Sequence, residues 1–96
     1  MEAKKLVDLL SKKKLTIGSV ESLTAGLFIA TLANVPGASK VVRGGLITYQ
    51  TDLKTSLLGI KKETIKKYGV VSKEIATLMA KEGSKLLKSD IVVSFT

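Results

Sequence analysis

An α/β layered domain with a partly parallel sheet is the fold class this sequence predicts, and three features carry the prediction. Short β-branched runs alternate with segments of helical spacing, as in chains whose strands are joined through helices. The 96 residues suit one compact unit with a modest core, and residues 1–96 are read as a single domain. Ser22 to Asn34 (SLTAGLFIATLAN) is apolar nearly all round, which predicts a helix packed on several sides.

The elements follow in order. Ala3, Leu6, Val7 and Leu10 recur at helical spacing with lysines on the other face, predicting an amphipathic helix from about Glu2 to Lys14. Leu15 to Val20 reads as a short buried strand, and Pro36-Gly37 ends the apolar helix that follows. Val41 to Tyr49 is β-branched and aromatic, with Gly44-Gly45 marking a bulge or a close backbone approach. Asp52 to Leu58 and Lys61 to Tyr68 predict two short helices, stopped by Gly59 and Gly69. Ser72 is placed to cap a helix running to about Lys88, with Ile75, Leu78, Met79 and Leu86 as its buried stripe and Lys85 and Lys88 against its dipole. Asp90 to Phe95 is a final strand.

Composition excludes several chemistries. The chain has no Cys and no His, which removes disulfides, zinc-finger spacings and every Ser-His or Cys-His arrangement. A hydrolytic base must then be Lys, Asp, Glu or Tyr. The longest apolar stretch, Ala25 to Val35, is about half of the roughly 20 residues a membrane span needs, and the lysine-rich N-terminus lacks a signal-peptide pattern, so a cytoplasmic protein with no membrane partner is expected. The net charge of +8 comes from fifteen lysines and Arg43 spread along the chain, with only four aromatic residues among them. Such a distribution solvates helix faces better than it reads bases, and nucleic acid is not the expected partner.

Three residues stand out as candidates for chemistry. Glu21 is the one charge between Leu15 and Ser39, so it either organises a site or serves as a loop or helix-terminus charge. Ser22 beside it is a helix cap or, alternatively, a hydroxyl next to the unpaired amides of a helix start, where an oxyanion or phosphate can be held. Lys54 follows Tyr49 and Asp52 at the end of the second strand. It is a solvated lysine like the others or, without His, the economical base for a serine: desolvation depresses its pKa and the neutral amine takes the hydroxyl proton. Glu21 and Asp52 together make no dedicated metal site, and neither metal nor cofactor is expected.

Val20-Glu21-Ser22-Leu23-Thr24-Ala25-Gly26, Val35-Pro36-Gly37-Ala38-Ser39, Gly44-Gly45-Leu46-Ile47-Thr48-Tyr49, Lys54 with Leu58-Gly59-Ile60, Tyr68-Gly69-Val70-Val71-Ser72 and Met79-Ala80 occur in an order that resembles the C-terminal domain family of the competence/damage-inducible protein CinA. The resemblance runs from about Leu6 to Thr96. It implies a nicotinamide-nucleotide amidase, releasing ammonia from the carboxamide of nicotinamide mononucleotide in pyridine-nucleotide salvage. It implies Ser22 as nucleophile, Lys54 as base and Tyr49 as their assistant, with Glu21, Thr24, Gly26, Gly45 and Thr96 on the substrate side and a helix N-terminus holding the oxyanion. An alternative is a non-catalytic nucleotide-binding or assembly module of the same fold. The family commonly has two glycines where this chain has Ala25-Gly26, and Thr96 aligns with the threonine opening its glycine-rich TGxAGP loop, so the resemblance implies further strands and a basic substrate contact beyond Thr96. An exposed sheet edge in a small domain favours a two-fold dimer.

Overall fold

The computed structural model describes residues 2–96. Helix α1 spans Glu2–Lys13, strand β1 Ile17–Glu21, α2 Leu27–Ala33, and β2 Val42–Ile47 after a 3₁₀ turn at Ala38–Lys40. Three helices follow, α3 (Thr51–Ser56), α4 (Lys62–Tyr68) and α5 (Lys73–Leu87), before β3 (Ile91–Phe95). The three strands form a parallel sheet in the order β2-β1-β3, so β1 is central. Parallel neighbours require long crossovers, which is why every strand connection here contains helix.

Side-chain alternation along β1 divides the core between two faces. Ile17 packs with Val7 and Leu10 of α1 and Leu32 of α2, joined by Val35 and Val41. Val20 packs on the opposite face with Ile75 and Met79 of α5, and with Leu58, Ile60 and Ile65. The layers are therefore α1 and α2, the sheet, then α5. Gly44 sits at the expected irregularity: Ile17 pairs with Val42 but Gly18 pairs with Gly44, so β2 carries one extra residue, Arg43. Gly44 takes φ 153° there, a value glycine adopts without a Cβ penalty.

The short helices and the Ser72 cap lie where the sequence places them. Ser72 Oγ accepts from the Ile75 amide at 3.2 Å. Two expectations fail. The buried stripe of α5 runs through Ile75, Met79 and Gly83 in steps of four, leaving Leu86 off that line and 55% exposed, while Leu87 reaches Gly18. Lys88 lies beyond the helix as its left-handed cap. The helix in the apolar segment also begins later than predicted: α2 starts at Leu27, which is 66% exposed, and although it touches α1, β1 and β2, Leu32 is its one buried residue. No helix among the described residues is long and apolar enough to cross a membrane.

Candidate active site

The chain after β1 enters α2 on one face of the sheet, whereas the connection after β2 leads to α5 on the other. Adjacent parallel strands whose connections diverge in this way leave a crevice at their carboxyl ends, the usual ligand position in open α/β sheets. Ser22 follows β1 and Lys54 follows β2 into that crevice. Lys54 Nζ donates to Ser22 Oγ at 3.0 Å and to the Thr48 carbonyl at 3.0 Å. Lys54 is 0% exposed, and neither described ion pair includes it. Burial without a compensating charge disfavours the ammonium, so its pKa is lowered from the ordinary lysine value.

Consecutive residues at the end of β1 point to opposite faces, so Glu21 turns away from Ser22 toward α2. Its carboxylate is buried and accepts four hydrogen bonds, from Ser19 Oγ at 2.7 Å, Thr24 Oγ1 at 2.8 Å, and the Phe28 and Ile29 amides at 2.9 and 3.0 Å. Burial raises the Glu21 pKa, but these four donors outweigh it and leave the carboxyl below its ordinary value. Its main-chain oxygen accepts from the Thr48 amide at 2.8 Å, which fixes the residue whose carbonyl holds Lys54. Thr48, missed by sequence reasoning, is fully buried and its Oγ1 has no hydrogen-bond partner among the described residues.

The segment Ser22–Gly26 is a pair of turns rather than the first turn of the helix, closed by Ala25 N to Ser22 O and Leu27 N to Thr24 O. Ser22 is therefore not a helix cap. Gly26 occupies the cap position at φ 99°, and Ala25 before it stands at φ 51°. An alanine in the left-handed region costs roughly 1–2 kcal/mol, part of which glycine returns through its greater freedom in the unfolded chain. Ala25→Gly should therefore stabilise the protein by about 1 kcal/mol, a melting rise of roughly 4–8 °C for a chain of this size. An unchanged or lower melting temperature would show that Ala25 is unstrained.

The expected substrate-side residues are largely occupied within the protein. Glu21 and Thr24 bind each other, and Thr96 Oγ1 donates to the Val70 carbonyl at 2.7 Å. A Cβ on Gly45 would stand 3.0 Å from Ser19 Oγ, so this glycine makes room for the hydroxyl that reaches Glu21. A Cβ on Gly26 would meet Ile47 Cδ1 at 3.0 Å. The helix start is also taken, since Glu21 holds its Phe28 and Ile29 amides; in the loop, the amides of Leu23, Thr24 and Gly26 have no protein acceptor among the described residues. Tyr49 is 65% exposed and its hydroxyl bonds to none of the described residues, so the structure does not join it to Ser22 and Lys54. A groove of about 390 Å³ lined by Leu6, Thr24, Leu27, Phe28 and Phe95 lies beside α1 and α2, and neither Ser22 nor Lys54 lines it.

A layered α/β domain with a buried Ser-Lys pair at its switch point is the class this fold and site define. The family model for the CinA C-terminal domain matches residues 1–96. A Listeria innocua protein bearing the competence-damage inducible name is 49% identical over 88 residues, covering 92% of this chain and 21% of that protein. Its Bacillus subtilis counterpart is 48% identical over 85 residues, covering 88% of this chain and 20% of its own. Among solved structures, the competence/damage inducible protein CihA of Agrobacterium tumefaciens matches with a TM-score of 0.87 at 31% identity, covering 96% of this chain and 56% of that one. A CinA superfamily protein of Escherichia coli has the same fold, with a TM-score of 0.93 at 22% identity, over 98% of this chain and 55% of that one. The chain belongs to the CinA C-terminal domain family. It spans about a fifth of the length of these curated relatives and about half of the solved chains.

Proposed function

We propose that this chain is an amidohydrolase of the Ser/Lys type, acting on the carboxamide of nicotinamide mononucleotide. The observation that carries the reading is the 3.0 Å contact between Lys54 Nζ and Ser22 Oγ, with the amine fully buried and no carboxylate paired to it among the described residues. In its neutral form the amine accepts the Ser22 proton across that contact while still donating to the Thr48 carbonyl. Ser22 Oγ then attacks the amide carbon. Lys54 passes the proton to the departing nitrogen, ammonia leaves, and a water that gives its proton back through Lys54 cleaves the acyl-serine to the acid. The amides available to the oxyanion are the unpaired ones of Leu23, Thr24 and Gly26, beside Ser22 in sequence. Tyr49, exposed past the end of β2, keeps in this proposal the assisting role that the resemblance implies.

The alternative, a non-catalytic nucleotide-binding or assembly module, is favoured by the closure of the pair: Lys54 is inaccessible and Ser22 buried. One assay separates the two. Ammonia release from nicotinamide mononucleotide is expected from the wild-type chain and expected to fall at least about 1000-fold in Ser22→Ala, in the range seen when a nucleophile is deleted. Equal release by both proteins would remove Ser22 from the reaction. Nucleotide binding without release in either would select the module.

A further inference from the structure

Glu21 lies one residue from Ser22, yet its side chain faces the other side of the sheet and contacts neither Ser22 nor Lys54 among its hydrogen bonds. Its partners come from three separate places: Ser19 in the strand behind it, Thr24 in the loop, and Phe28 and Ile29 in the first turn of α2. The loop so gripped holds two successive residues at positive φ, and α2 has no other side-chain cap. Through its main-chain oxygen the same residue fixes the Thr48 amide, and the Thr48 carbonyl receives Lys54 Nζ. Both halves of the pair thus hang from Glu21, the serine through the loop and the lysine through the end of β2.

We propose that Glu21 is the positioning residue of this site, a carboxylate that never meets substrate but holds Ser22 Oγ against a dehydrated Lys54. The inference rests on the Ser/Lys reading above. It requires the ionised acid specifically, because each carboxylate oxygen accepts one hydroxyl and one backbone amide. A glutamine in either orientation turns an NH₂ toward one of those two amides, setting donor against donor, and so releases the loop or the helix start.

The test reads two quantities in wild type, Glu21→Gln and Thr24→Val, with folding checked by circular dichroism. The first is covalent labelling of Ser22 by a fluorophosphonate probe, with Ser22→Ala as blank. The second is the ionisation of Lys54, followed by NMR of ¹³C-labelled lysine. Loss of a negative charge by itself would push the Lys54 pKa further down. Loosening of the loop admits water and moves it up, so a rise toward the ordinary lysine value in folded Glu21→Gln, with labelling slowed at least tenfold, is the expected result. Thr24→Val keeps the carboxylate and removes one loop donor, and a smaller rise in the same direction is expected even if Glu21→Gln does not fold. A Lys54 pKa that falls or stays put in the folded variants overturns the proposal. If the probe fails to label Ser22 in the wild type while the Lys54 pKa still rises in the variants, the nucleophile reading fails and the positioning role of Glu21 stands.

Discussion

Substituting Lys54 by methionine is expected to remove the proposed turnover and, with it, one part of the protein's dependence on pH. The activity loss follows from the proposed role of the amine as the base in contact with Ser22 Oγ, and general acid-base groups contribute about 10²–10⁴-fold, so a loss of at least about 100-fold is expected. Lys54→Arg should be equally inactive, since a guanidinium cannot give up its proton near neutral pH. The stability effect has a definite sign. The Lys54 pKa is lower in the folded chain than in the unfolded one, so between those two values the unfolded state binds more protons and stability rises with pH. Below the folded pKa the full cost of burying the ammonium is present; above the unfolded value, about 10.4, both states are neutral and that cost is gone. Methionine fills similar space without a titratable group. Denaturant unfolding of the two proteins from pH 7 to pH 10.5 should therefore show wild type gaining on Lys54→Met as pH rises. A difference that stays constant over this range would mean that Lys54 titrates as an ordinary surface lysine, and the neutral-base mechanism would fall with it.

That Lys54, among fifteen lysines, is fully buried against Ser22 is not visible in the sequence, where nothing beside it marks it as a core residue. Absence of His narrowed the choice of base to a few residue types, and the resemblance to the family pointed to Ser22 and Lys54, but burial is decided by the path of the chain after β2. The regular elements were more legible. Helices α1 and α5 announce themselves by apolar spacing, the Ser72 cap by its place before an apolar run, and the bulge by Gly44-Gly45. The failure at Ser22 to Asn34 has a physical reason: an apolar run rich in Ala and Leu hides a loop at its start, where Ala25 and Gly26 stand at positive φ and Glu21, outside the segment, takes up Thr24 Oγ1 and the Phe28 and Ile29 amides. Glu21 was marked by being alone among uncharged residues, while of its partners only Thr24 was singled out, for the substrate side, and Ser19, Phe28 and Ile29 were not. The family's paired glycines at Ala25-Gly26 match a backbone demand that only the structure shows, two successive positive φ values, which this chain meets with one alanine.

Gly83→Ala should be among the most destabilising single-methyl additions in the protein, although alanine is the better helix former. Gly83 is buried in the middle of α5, and an added Cβ would drive into Val20 Cγ2. Val20 is fully buried at the centre of β1, directly before Glu21 and Ser22, and packs with Ile75 and Met79 of the same helix. Neither partner can give way, since β1 is hydrogen-bonded on both sides and α5 is held along its length. Alanine gains about 1 kcal/mol of helix propensity, whereas overpacking a core costs about 1–3 kcal/mol and more where the obstacle is a stiff β-branched chain. A net loss of about 1–2 kcal/mol is expected, a fall of several degrees in melting temperature. Val20→Ala costs stability by itself through the space it leaves, but in combination with Gly83→Ala the new methyl occupies part of that space, so the double variant should be more stable than the sum of the two losses predicts. Lys81→Ala, on the exposed side of α5, should stay within about 0.5 kcal/mol of wild type. If Gly83→Ala proves as stable as wild type, or the two losses simply add, helix and strand are not in the contact that holds the end of β1, and the crevice it opens into is less rigid than the buried pair requires.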